Sequence, residues 1–64
     1  MVVTNELAKL GIWINQQIKS YPQHKDEIID FYQLCLDEIE GGASIDNEIY
    51  LCKDSIEDLI NGES

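Results

Sequence analysis

The chain has 64 residues and a formal charge of −9, with thirteen Asp and Glu set against four Lys and no Arg. At this length a single small domain is expected, because a chain this short buries only about 60% of the surface its unfolded form exposes. Its charge opposes nucleic acid phosphates and anionic lipid surfaces, so neither direct nucleic-acid binding nor membrane binding is expected.

At the start, Val2 and Val3 are followed at once by Thr4, Asn5 and Glu6, which is not the basic start and apolar run of a secretory leader. A cytoplasmic protein is the expectation. No apolar run approaches the ~20 residues of a membrane span. Thr4 or Asn5 can cap a first helix, predicted over 5–19, in which Leu7, Leu10, Gly11, Ile14, Ile18 and Tyr21 recur at spacings of three and four. Ser20 followed by Gln23 reads as a reciprocal cap, with Pro22 tolerated in the first turn, and predicts a second helix over 22–40.

The stripe of helix 2 is Ile28, Phe31, Tyr32, Cys35 and Ile39, and Gly41 is expected to stop it. Ser44 or Asp46 then caps a third helix whose face is Ile45, Ile49, Cys52, Ile56, Leu59 and Ile60, with Gly62 ending it. No stretch shows the strict alternation of a strand. The expected fold is therefore all-α, a three-helix unit over residues 1–64 in which helices 2 and 3 form an antiparallel hairpin and helix 1 packs across it. Counting away from the turn at about 1.5 Å per residue brings Cys35 and Cys52 near one level. They are expected to be buried free thiols and neighbours across the seam.

Several apolar residues lie off these stripes. At 100° per residue, Trp13 falls about 100° and Ile12 about 160° from the centre of the helix 1 face, while Leu34, Tyr50 and Leu51 stand similarly far from theirs. Ile12, Trp13, Leu34, Tyr50 and Leu51 are thus a candidate apolar interface, and a homo-oligomer, most simply a twofold dimer, is expected to bury it. Trp13 is its natural anchor.

The charge is unevenly spread. Residues 1–25 hold Glu6 against Lys9, Lys19 and Lys25, whereas residues 26–64 hold twelve acids against Lys53 alone. Asp26, Glu27, Asp30, Asp37, Glu38, Glu40, Asp54, Glu57 and Asp58, together with Asp46 and Glu48, form a candidate acidic surface on the hairpin. It is either a solvated face that keeps the protein dissolved or a surface that docks on a basic groove, its carboxylates standing in for phosphates.

Catalytic chemistry finds no support in the pattern. His24 is the sole histidine and reads as a solvated residue near a helix start, and Cys35 is three turns from it on an apolar stripe. The carboxylates lack a Ca²⁺-loop spacing, and the two cysteines lack that of a zinc site. No catalytic residue, metal ligand or cofactor is expected.

Asp54-Ser55-Ile56 resembles the Asp-Ser-Leu tripeptide of acyl carrier proteins, in which the serine carries phosphopantetheine and opens a long helix. Here the serine is expected in mid-helix, so the modification is not carried over. The segment DEIIDFYQLCLDEIEGGASIDNEIYLCKDSIEDLI resembles the small acidic helical proteins of bacteriophages and other mobile elements. That resemblance implies a regulatory or inhibitory protein acting on host or viral proteins. The leading expectation is a non-enzymatic interaction protein that self-associates through its apolar residues and presents an acidic surface to a protein partner. The alternative is an acidic inhibitor or nucleic-acid mimic that binds the basic groove of a nucleic-acid-binding protein.

Overall fold

Apolar spacings of three, four and seven can be satisfied together only by helices that turn their stripes inward. In the computed structural model, which describes residues 5–62, the chain does so as α1 (Asn5–Ser20), α2 (Lys25–Glu40) and α3 (Ile45–Asn61), with a 3₁₀ turn over Pro22–His24. The result is the all-α three-helix unit, with α2 and α3 forming the hairpin and α1 packed on it. Each helix gives two residues to the buried core: Leu10 and Ile14 from α1, Ile28 and Cys35 from α2, Cys52 and Ile56 from α3. Trp13, Ile18, Phe31, Tyr32, Ile39, Ile49, Leu59 and Ile60 pack around them, half-buried.

The junction between α1 and α2 differs from the expected reciprocal cap of Ser20 and Gln23. Ser20 stays inside α1, and Tyr21 N–H still donates to the Gln17 carbonyl at 2.8 Å. Pro22 then excludes continuation, because its ring disfavours a helical residue before it, and Tyr21 accordingly sits at φ −132°, ψ 64°. His24 N–H closes the 3₁₀ turn on the Tyr21 carbonyl at 2.9 Å, and α2 begins at Lys25 rather than at 22 with no side-chain cap.

At the other end of α2, the expected stop at Gly41 resolves into two steps. Gly41 keeps right-handed backbone, while Gly42 takes the positive φ of 108°. Gly42 N–H donates to the Ile39 carbonyl at 3.0 Å, and the positive angle then carries Ala43 N–H to the Glu38 carbonyl at 2.9 Å, so orphan carbonyls at the helix end are satisfied. Ser44, rather than Asp46, caps α3 by accepting from Asn47 N–H at 3.4 Å. Gly62 ends α3, its N–H on the Asp58 carbonyl. Thr4, offered as a cap for α1, lies outside the described residues, and Asn5 is helical.

Candidate functional site: the open flank of the hairpin

The position of α1 decides which apolar residues stay exposed. A Cβ on Gly11 would stand 3.4 Å from Tyr32 Oη, which seats α1 against α2. Lys53 Nζ of α3 lies 5.6 Å from the centre of the Trp13 ring, a cation–π distance. Trp13 also shares a small polar-edged hollow with Gln17, Tyr21, Glu57, Ile60 and Asn61. Trp13 therefore departs from its off-stripe expectation: it packs within the chain, half-buried, because α3 runs beside the flank of α1 that carries it.

On the flank turned away from α1, a groove of about 400 Å³ follows the seam of α2 and α3. Phe31, Leu34, Cys35 and Glu38 line it from α2, and Glu48, Leu51, Cys52 and Ser55 line it from α3; no residue of α1 does. Leu34 and Leu51 remain 57% and 45% exposed. The fold thus brings two of the five candidate interface residues to one groove. Ile12 and Tyr50 are more exposed, at 62% and 66%, and line neither hollow. Ile29 is a further exposed apolar residue that the stripe of helix 2 passed over.

The groove's floor contains both thiols, buried and free. The two thiols bear on one another's ionisation, Cys35 helping to hold the proton on Cys52. Burial pushes the Cys52 thiol up to about 12, and the neighbouring Cys35 adds to the shift. Cys35 is also raised, first by burial and then by the charge of Glu48. At neutral pH both are protonated apolar surface and poor nucleophiles. Ser55 stands in mid-α3 beside them, without the helix-opening position of a carrier serine.

His24 corrects the expectation of a solvated side chain. It is only 5% exposed, and its Nδ1–H donates to Glu27 Oε2 at 3.2 Å. The cause is register: His24 precedes Ile28 by four residues, and the 3₁₀ turn holds it on the same face. Among the candidate acids, Glu27 is thus engaged locally, and Asp37 accepts from Gln33 Nε2 at 3.2 Å. Asp26, Asp30, Glu38, Glu40, Asp46, Asp54, Glu57 and Asp58 are exposed, whereas Glu48 is half-buried at the groove.

Among the described residues, no group of three or more His, Cys, Asp or Glu is arranged to hold a metal ion. No described helix is long and apolar enough to cross a membrane. Comparison with protein-family models, curated proteins and solved structures returns no match, which leaves the geometry of the groove as the basis of a functional reading.

Proposed function

We propose that this chain is a non-enzymatic protein–protein interaction module that docks a partner protein in the groove between α2 and α3 while holding its acidic surface outward. The observation that carries the reading is the meeting of Leu34 and Leu51, both exposed, on one apolar groove. Burying a leucine side chain is worth about 1.5–3 kcal/mol, so two such residues with a Phe31 and thiol floor form the centre of a small interface. The test uses the wild-type chain and a Leu34→Asp, Leu51→Asp variant as baits in host extract. A partner held by the wild type, lost on the variant and retained in high salt supports the reading. Equal capture by both baits refutes it, and steep loss with salt favours the nucleic-acid mimic instead.

A second reading, a twofold homodimer, has its own support in Ile12 and Tyr50, which are exposed outside the groove. Light scattering at high micromolar concentration tests it: a dimer mass supports it and a monomer mass ends it.

A further inference from the structure

The hairpin of α2 and α3 has two flanks, and this chain covers one of them. The helix that covers it is amphipathic and cationic: α1 inserts Leu10 and Ile14 into the core and carries Lys9 and Lys19 against Glu6. It is the only one of the three helices with more basic than acidic residues. Lys9 and Lys19 are exposed and lie about 140° round α1 from the centre of its apolar stripe, so it is the apolar face alone that α1 lays on the hairpin. The opposite flank presents the same two helices with Leu34 and Leu51 still exposed, and there the acids Glu38 and Glu48 line the groove itself.

We infer that the groove takes an amphipathic helix of another protein whose apolar stripe is bordered by lysine or arginine. This rests on reading the chain as an interaction module and adds the chemistry of its partner. The lining runs from Phe31 to Glu38 on α2 and from Glu48 to Ser55 on α3. Each run spans about 10 Å at 1.5 Å per residue, two helical turns, the length of an i, i+3/i+4, i+7 stripe. A groove of about 400 Å³ falls at the small end of the usual pocket range of about 300–1,000 Å³. Glu38 lies just before the turn and Glu48 just after it, so both carboxylates stand at the loop end of the groove. The partner's cations belong at that end, where two like charges face one apolar cleft.

A second copy of this chain is a poor occupant. Groove-to-groove contact would press together two hairpins that each carry, on α2 and α3 together, eleven acids against only Lys25 and Lys53. The core residues of α1 are already committed to its own hairpin.

The test is a titration of the isotope-labelled full chain, followed by amide chemical shifts, with three synthetic helical peptides the length of α1. One carries leucines at i, i+3, i+4 and i+7 bordered by lysines. The second keeps the leucines and replaces the lysines by glutamates, and the third keeps the lysines and replaces the leucines by serines. The first should shift the amides of Leu34, Glu38, Glu48, Leu51 and Ser55 and bind at least about tenfold tighter than either of the others. Leu34→Ala with Leu51→Ala, at exposed positions where the fold survives, should weaken it about tenfold or more. Glu38→Gln with Glu48→Gln should weaken it several-fold and flatten its salt dependence.

Equal affinity for the lysine- and glutamate-bordered peptides overturns the inference. So does equal affinity for the serine peptide, which would mean adsorption by charge alone. No response to any peptide also overturns it, while the interaction reading itself falls only if the aspartate bait captures what the wild type captures.

Discussion

Replacing Gly42 by alanine isolates the energy of one backbone angle. A Cβ added there meets nothing within 4 Å, so the substitution adds no clash and its cost is that of holding an L-residue at φ 108°. Left-handed backbone costs a non-glycine residue about 1–2 kcal/mol, and the smaller conformational freedom of unfolded alanine returns about 0.4–1 kcal/mol. Gly42→Ala should therefore destabilise the fold by about 1 kcal/mol. The adjacent Gly41→Ala is the internal control, because Gly41 sits at φ −78° and its Cβ would make ordinary contacts of 3.5 Å with the Asp37 and Glu38 carbonyls. That variant should be neutral or slightly stabilised. Thermal unfolding followed by circular dichroism reads the difference, with 1 kcal/mol shifting Tm by about 4–8 °C in a domain of this size. A synthetic chain with D-alanine in place of Gly42 should regain the loss, since the mirror residue accepts positive φ. Two L-alanine variants of equal stability, or Gly41→Ala as the weaker, would refute the assignment of strain to Gly42.

Ile56→Ala, at a side chain with 0% exposure, should cost about 2–5 kcal/mol and abolish or sharply lower the cooperative melt, whereas Leu34→Ala should change stability by no more than about 0.5 kcal/mol. A melt of Ile56→Ala matching that of the wild type contradicts the core assignment. The Cys52 thiol ionises near 9.0 when unfolded and near 12 when folded, so its contribution to stability is complete below pH 9 and is lost as pH rises towards 12. Urea midpoints measured across that window should fall less steeply for Cys52→Val than for the wild type, and equal slopes would contradict the buried, proton-holding thiol.

The helices were legible because each stripe repeats at helical spacing, and Leu10, Ile14, Ile28, Cys35, Cys52 and Ile56 all come from them. Local chemistry at the junctions was less so. Ser20 and Gln23 have the spacing of a cap, yet Pro22 restrains Tyr21 and leaves a 3₁₀ turn in its place. Gly41 was the expected stop, and the bond from Ala43 N–H to the Glu38 carbonyl, not composition, chooses Gly42 for the positive angle. His24 carried a usable signal in its four-residue step to Ile28, which its place near a helix start obscured. The groove was half legible. Leu34 and Leu51 stand off their stripes in the sequence, but that they share a flank, and that Trp13 does not, depends on the side of the hairpin that α1 takes. A pattern along one helix does not carry that three-body choice.

The seat of Trp13 gives the protein two independent optical channels. As the only tryptophan, placed under Lys53 at the contact of α1 with α3, it reports attachment of α1 and loss of the native state. The groove lies on the other flank and is lined by no residue of α1. A dye on an incoming peptide can therefore follow occupancy of the groove while indole emission, excited separately in the same cuvette, follows whether the third helix stays in place.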